Sequence, residues 1–124
     1  MVAIKPYGKQ HRYSGGITPA EWAQVGIALS RSFRTGGLLQ QRTAERMAAP
    51  VLGSCGLCLF RNGDTAFHYS VNEGFTTFWR FSLKEDLCAA GMVNTSAGSA
   101  FQAMAEIQNA LFDRLQKANM ERSI

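Results

Sequence analysis

Three cysteines and two histidines supply the thiols and imidazoles of this 124-residue chain. Cys55 and Cys58 form a C-x-x-C pair, but a redox motif needs its first cysteine at a helix N-terminus, where the pKa of the thiol falls. This pair instead enters a predicted strand. A zinc ion needs about four ligands, and the available set is Cys55, Cys58, His68 and Cys88, at a spacing that matches no known zinc finger. We interpret the cysteines as small buried side chains, with a zinc site as the alternative.

No other group of residues in the sequence forms a recognisable catalytic set. No serine lies in a G-x-S-x-G motif. No acidic or nucleophilic residue lies at a spacing from His68 that would indicate a catalytic pair. Gly53 and Gly56 match neither phosphate-binding glycine motif, while Glu85 and Asp86 suit the first turn of a helix, where negative charge is favourable. The sequence predicts a protein that is not an enzyme, with no catalytic residue, no bound metal and no cofactor.

The basic residues are concentrated near the start of the chain. The net charge is +4 overall, but residues 1–46 hold seven basic and two acidic residues. The basic ones are Lys5, Lys9, Arg12, Arg31, Arg34, Arg42 and Arg46. Such asymmetry indicates an acidic partner, either a nucleic acid or the acidic face of a protein. The alternative interpretation is that the charge only keeps a small protein soluble.

Two helices position the four arginines. Residues 1–16 have no sustained periodicity and are predicted to form a basic arm or an edge segment, ahead of a globular body at 17–124. Thr18 and Glu21 form a capping box at the start of the first helix. Its apolar positions are Trp22, Val25, Leu29 and Phe33, and it ends at Gly36-Gly37. A second helix is predicted from Leu38 to about Ala49, before Pro50.

The arginines are expected to cluster where these helices meet. Arg31 and Arg34 lie in the last turns of the first helix, while Arg42 and Arg46 lie one turn apart on the second. All four can therefore surround the Gly36-Gly37 corner. We predict a partner-binding surface there, together with the arm.

The middle of the chain predicts a three-stranded antiparallel meander. Its strands are Val51–Arg61, Ala66–Val71 and Phe75–Leu83, joined at Asn62-Gly63 and at 72–74. Phe78 and Trp79 are neighbours in the third strand and must face opposite sides of the sheet. If helices cover one face alone, one of the two lies exposed. They are the predicted aromatic surface, which could bind a partner. The alternative is that helices cover both faces and that these residues pack in the core or in a dimer interface.

Two further helices are predicted after the strands. Ser82 and Glu85 form another capping-box pattern, which indicates a short helix over about Leu83–Ala90. A long helix follows at roughly Ala97–Glu121. Its apolar stripe consists of Phe101, Met104, Ile107, Leu111, Leu115 and Ala118, widened by Phe112. The fold class is α+β, in one domain over 1–124, with element order α-α-β-β-β-α-α.

We predict a small non-enzymatic binding module that acts through protein–protein contacts, as a regulator, inhibitor or adaptor. Its partner would carry an acidic face, and the chain is expected to form a homo-oligomer. The alternative is a nucleic-acid-binding protein that uses the basic arm and the arginine corner. An enzyme or zinc protein built on the cysteines and His68 is the third hypothesis. With no apolar run near the roughly 20 residues of a membrane span and no signal-peptide core at the start, we expect a cytoplasmic protein without membrane association.

Overall fold

Three helices and one four-stranded sheet make up the part of the chain that the computed structural model describes, residues 17–124. The elements are α1 (Pro19–Thr35), α2 (Gln41–Ala48), β1 (Phe60–Asn62), β2 (Thr65–Asn72), β3 (Phe75–Ser82), β4 (Cys88–Val93) and α3 (Gly98–Arg122). The sheet is antiparallel, in the order β1-β2-β3-β4. The fold is therefore α+β as predicted, with one strand more and one helix fewer. The predicted basic arm at 1–16 lies outside the described residues.

The start and the end of α1 agree with the sequence pattern. Thr18 Oγ1 accepts a hydrogen bond from the Glu21 N–H at 3.2 Å, and the Glu21 carboxylate accepts one from the Thr18 N–H at 2.7 Å. These bonds hold the pKa of the Glu21 carboxyl below its usual value. Gly36, at φ 78°, ends the helix in a backbone conformation that favours glycine. The capping box and the glycine stop are thus both confirmed.

The second helix is shorter than predicted. It begins at Gln41 rather than Leu38, because the chain first turns back on α1. The Gly37 N–H donates to the Leu39 carbonyl at 3.0 Å, and the Leu39 N–H donates to Ser32 Oγ at 3.1 Å. These bonds hold the backbone outside the helical conformation until Gln40.

The prediction of a long first strand at Val51–Arg61 is wrong over most of its length. Tight turns occupy residues 51–58, and the regular strand β1 starts at Phe60. Gly53 and Cys58 adopt positive φ angles of 58° and 64°, which an extended strand does not contain. The Leu57 N–H donates to the Met47 carbonyl at 2.9 Å, so the turns are fastened to the end of α2.

The two predicted hairpin turns are confirmed. Asn62 pairs with Thr65 across a two-residue loop, and Asn72 pairs with Phe75 across another. The loops contain Gly63 and Gly74 at positive φ. Such short loops fix the register of β1, β2 and β3.

The predicted helix over Leu83–Ala90 is wrong, because most of this segment forms the start of β4 and the turn before it. Ser82 Oγ does accept hydrogen bonds from the Lys84 and Glu85 N–H groups, as the cap of a helix would. The Ser82 N–H, however, donates to the Leu87 carbonyl at 2.9 Å and closes a turn. β4 then pairs with β3 along its whole length. Pairing in the sheet thus overrides a local signal for a helix.

Two hydrophobic cores lie on opposite faces of β3 and β4. On one face, Leu29 and Phe33 of α1 pack with Trp79 and Phe81, and α2 adds small alanines. On the other face, Met104 and Phe112 of α3 pack with Phe78 and Ala89 of the sheet. The molecule therefore has three layers: α1 with α2, the sheet, and α3.

The buried face of α3 differs from the predicted apolar stripe. Met104, Gln108 and Phe112 are its buried residues, whereas Ile107 and Leu111 are exposed. The helix is thus turned so that a glutamine shares its buried face with Met104 and Phe112. Among the described residues, no helix offers the uninterrupted apolar length that a membrane crossing requires.

Candidate binding groove

The arginine corner predicted from the sequence is divided in the structure. Arg31 and Arg34 of α1 both donate to the Asp86 carboxylate, with the Arg31 Nε at 2.8 Å. The hydrogen bond from Arg31 holds the pKa of the Asp86 carboxyl below its ordinary value, and Arg34 adds to this effect. These two arginines fasten α1 to the turn before β4, and part of their charge is neutralised.

The other two arginines of the corner point away from this ion pair. Arg42 and Arg46 lie on the exposed side of α2 and form no ion pair within residues 17–124. Gln41, beside them, donates to the Phe33 carbonyl at the end of α1. The predicted partner-binding residues Lys5, Lys9 and Arg12 lie outside the described part of the chain.

Phe78 and Trp79, predicted as an aromatic surface, are both buried. Their exposed fractions are 3% and 5%, because helices cover both faces of the sheet where they lie. Phe78 belongs to the core under α3. The Trp79 ring lies 4.6 Å from the Trp22 ring, tilted by 32°, and its indole N–H donates to the Trp22 carbonyl. An aromatic surface does exist, but other residues form it.

The zinc alternative finds no support in the placement of its residues. Within residues 17–124, no three His, Cys, Asp or Glu side chains are grouped so that they could hold a metal ion. Cys58 is exposed on the turns before β1, so the interpretation of the cysteines as buried side chains is wrong for this residue. Cys55 and Cys88 are half-buried, and His68 is exposed on β2. Burial raises the pKa of the Cys88 thiol to about 12, so this thiol stays protonated at neutral pH.

The exposed aromatic surface lies on β1 and β2, on the side of the sheet that carries α3. We call it the aromatic face and define it as Phe60, Phe67, Tyr69 and Val71. Phe60 stacks on Phe67 with ring centroids 5.4 Å apart and on Tyr69 at 5.5 Å. Tyr69 and Val71 are 39% and 47% exposed. α3 packs on β3 and β4 and leaves this part of the sheet open.

A groove of about 240 Å³ runs between the aromatic face and α3. Phe67 and Tyr69 of β2 form one wall, and Phe101 of α3 stands edge-on to Tyr69 at 4.9 Å. The volume is below the roughly 300–1,000 Å³ of sites that enclose a drug-sized ligand. The groove therefore has the size for one large side chain or a small organic molecule.

Arg80 supplies the positive charge of the groove. Its Nε and Nη2 donate to Thr65 Oγ1 at 3.3 and 3.2 Å, and its Nη1 donates to Asn109 Oδ1 at 2.7 Å. The guanidinium carbon lies 4.7 Å from the centre of the Phe112 ring. Burial lowers the pKa of Arg80, and the negative charge of Asp113 partly offsets this. Neutral partners thus fix the guanidinium in one place.

No carboxylate pairs with this guanidinium in the described part of the chain. The ion pairs there belong to Arg31, Arg34 and Lys84. An arginine has five N–H donors, and Thr65 and Asn109 take three of them. One N–H remains on each terminal nitrogen. Arg80 is therefore a positioned cation with unused donors beside an apolar groove.

Gln108 adds an amide to the same site. It lines the groove, and the residue is 7% exposed. Its amide makes no side-chain hydrogen bond within residues 17–124, yet no fully enclosed side-chain N or O atom in that range lacks a partner. Because Gln108 lines the groove, its amide lies within reach of a molecule bound there. An amide in this position can donate to a bound oxygen and accept from a bound N–H.

The sequence contains part of the signal for this site. Phe67, Tyr69 and Val71 occupy every second position of the second predicted strand and therefore share one face. Phe78 and Arg80 share one face of the third strand in the same way. A single charge on the inner face of a middle strand is unusual, because such a charge must find partners. The contribution of Gln108 has no such signal, since it lies on an interrupted apolar stripe.

Comparison with known proteins identifies no family for this chain. The chain matches no protein-family model, no curated protein and no solved structure.

Proposed function

We propose that the protein is a small non-enzymatic binding module that acts through protein–protein contacts. Its partner contributes an extended segment, which adds to the sheet at the outer edge of β2 and lies over the aromatic face. The observation that carries this proposal is the difference in length between β1 and β2. β1 pairs with Thr65–Phe67, and no strand within residues 17–124 pairs with the outer edge from His68 to Asn72.

The hairpin geometry identifies the backbone groups that are available at this edge. Asn72 and Phe75 close a two-residue loop, so they exchange hydrogen bonds with each other. Since the direction of the backbone groups alternates along a strand, those of Tyr69 and Val71 point away from β3. Their N–H and C=O groups can therefore bond to an added strand. Extended peptides bind other sheets in this way, with the backbone bonds supplying affinity.

The side chains of the same two residues supply an apolar contact. Tyr69 and Val71 belong to the aromatic face, and Phe60 stacks on Tyr69. A strand added beside β2 would place alternate side chains over these rings, where each favourable cross-strand pair contributes about 0.2–1 kcal/mol. The backbone edge and the apolar face thus serve one and the same ligand.

The opposite edge of the sheet is a poorer site. β4 is covered by α1 on one face and by α3 on the other. A segment added there would find no open face for its side chains. We therefore assign the partner to β2.

Peptide selection and proline scanning test the proposal. Peptides are selected from a displayed random library on the purified protein, and their affinities are measured by fluorescence polarisation. Val71→Pro removes an outward N–H without touching the bonds to β3, and proline is tolerated at strand edges. We expect a loss of about tenfold or more in affinity, which corresponds to one hydrogen bond of about 1.4 kcal/mol.

Met92→Pro is the matched control, because its N–H points outwards from β4 by the same alternation. We expect it to leave the peptide affinity unchanged, and circular dichroism establishes that both variants are folded. Equal affinities of wild type and Val71→Pro would overturn the edge as the binding site. So would sedimentation showing a dimer that Val71→Pro dissociates, since a second copy would then occupy the edge.

The second candidate function is nucleic-acid binding, and the exposure of Arg42 and Arg46 favours it. Both lie one turn apart on α2 and make no ion pair within residues 17–124. Phosphate contacts would make the affinity fall steeply with salt. The variant Arg42→Glu, Arg46→Glu would then lose binding to DNA and RNA in a mobility-shift assay. Unchanged binding by this variant would exclude α2 as the contact surface.

A further inference from the structure

We propose that the Arg80 end of the groove is a subsite for a carboxylate joined to an aromatic ring, carried by the bound segment of the partner. The inference rests on the proposed function, because it names the chemistry of the ligand at the same site. Arg80 supplies the charge, Gln108 supplies an amide, and Phe67, Tyr69 and Phe101 supply the apolar walls.

The charge of the subsite favours an anion over a neutral group. Arg80 is held by Thr65 and Asn109, which are neutral, and keeps one N–H on each terminal nitrogen. The negative charge of Asp113 acts on Arg80 without forming an ion pair with it, so these donors are not taken by a carboxylate within residues 17–124. Paired N–H groups of a guanidinium bind the two oxygens of a carboxylate in a planar, charge-assisted arrangement. Because the side chain is already fixed, little conformational entropy is lost when the anion binds.

The second polar group is consistent with the same ligand. Gln108 is more than nine-tenths buried and lines the groove, and its amide makes no side-chain hydrogen bond within residues 17–124. A ligand oxygen in the groove would accept a hydrogen bond from the N–H of this amide. A guanidinium and an amide that line the same apolar groove are suited to a carboxylate attached to a ring.

The size of the groove limits the ligand. A volume of about 240 Å³ accommodates one aromatic residue or a small aromatic acid, but not a folded element. A carboxylate beside an aromatic ring occurs at the end of a chain that terminates in Phe. We assign this chemistry to the partner segment, and a free aromatic acid becomes an outcome of the test.

Two matched small molecules test the subsite without knowledge of the partner. The probes are N-acetylphenylalanine and its amide, which have the same ring and differ in charge. Binding is followed by NMR, on the Gln108 side-chain amide and the Arg80 Nε–H. We expect the acid to bind at least about tenfold more tightly than the amide. Equal binding of the two probes would overturn the carboxylate subsite.

Charge-removing variants locate the effect. Arg80→Met should abolish the preference for the acid, and Gln108→Leu, which keeps the volume, should reduce it. Arg61→Met is the matched control, since Arg61 lies on the opposite face of the sheet from the groove and donates to the Gly63 carbonyl. A preference for the acid that survives in folded Arg80→Met would overturn the assignment. If Arg80→Met does not fold, an unchanged preference in Gln108→Leu together with an unshifted Arg80 Nε–H signal would overturn it.

Peptides selected on the protein distinguish the source of the carboxylate. We expect amidation of the peptide C-terminus to lower affinity for the wild type at least about tenfold and to have no effect with Arg80→Met. Peptides that bind the wild type and Arg80→Met with equal affinity would overturn the carboxylate subsite. The proposed peptide-binding function would still stand. If no peptide binds but N-acetylphenylalanine does, the peptide-binding function fails and a free aromatic acid is the ligand.

Discussion

The two halves of the sheet are treated differently by the rest of the chain. β3 and β4 are covered on both faces, by α1 and by α3, and hold Trp79, Phe81 and Phe78 in the interior. β1 and β2 carry three aromatic residues, Phe60, Phe67 and Tyr69, and within residues 17–124 α3 packs mainly on β3 and β4 instead. The half made of β3 and β4 therefore contributes most of the apolar burial that stabilises the fold. The half made of β1 and β2 keeps apolar surface and backbone groups available.

This difference supports the proposal that the open half of the sheet is the one that binds a partner. A large exposed apolar area costs solubility and is retained mainly where a partner covers it. Arg80 lies in β3 at the border between the halves, held by Thr65 of β2 and Asn109 of α3. Arg80 therefore joins the covered half of the sheet to the open half through its hydrogen bonds to Thr65.

The largest expected effect comes from emptying the core of the covered half. Phe81 is fully buried and packs on Trp79 with ring centroids 4.9 Å apart. Phe81→Ala should lower the free energy of unfolding by about 3–5 kcal/mol. Phe67→Ala, on the aromatic face, removes the same atoms from a half-exposed site and should cost about 1 kcal/mol. Urea denaturation measures both, and equal losses would contradict the division into two halves.

Overpacking the covered half should have the next largest effect. A Cβ at Gly91 of β4 would overlap the Phe78 ring beneath α3. Gly91→Ala should therefore destabilise the protein by about 1–3 kcal/mol. Gly98→Ala is the control, because a Cβ there meets no atom within 4 Å and the residue begins α3. Thermal unfolding should show a lower Tm for the first variant alone.

A smaller, pH-dependent effect is expected where α1 is fastened to the covered half. The hydrogen bond from Arg31 holds the pKa of the Asp86 carboxyl below its ordinary value of 3.8. A lowered pKa in the folded state means that the pair stabilises the protein above the unfolded pKa and ceases to do so as the pH falls through the folded one. Asp86→Asn should thus cost less than about 1 kcal/mol at neutral pH, since the pair is largely exposed.

The pH series provides the decisive measurement for this ion pair. The difference in unfolding free energy between wild type and Asp86→Asn should be constant well above the unfolded pKa of the carboxyl and should shrink as the pH falls through the lowered pKa of the folded state. Asp64→Asn, which breaks the exposed pair with Lys84, serves as the control. A difference that grows as the pH falls would contradict the assigned direction.

Local signals made part of this fold predictable from sequence. The capping box at Thr18, the glycines after α1 and the Asn62-Gly63 turn each act within a few residues, and all three are confirmed. The Ser82 pattern shows the limit, because the same serine cap forms in the structure without a helix behind it. Whether the chain continued as a helix or as β4 depended on pairing with β3, which no local pattern encodes.

The groove depended still more on distant parts of the chain. Its walls and polar groups come from β2, β3 and α3, and Arg80 meets Asn109 across 29 positions of sequence. The predicted arginine corner was visible in sequence because its residues lie close together, but Asp86 joins two of them from the turn before β4. Charge clusters are thus easier to predict than their neutralisation.

The smallest effect on stability is expected on the aromatic face itself. Val71 is 47% exposed, so Val71→Thr removes little buried apolar surface and threonine keeps the preference for a strand. The free energy of unfolding should change by less than about 0.5 kcal/mol, as measured by urea denaturation. Affinity for the selected peptides should nevertheless fall, because a hydroxyl would lie against the added strand. A variant that loses stability but not affinity would show that this face serves the fold. The open half would then be a structural surface, and the comparison between the halves would no longer indicate function.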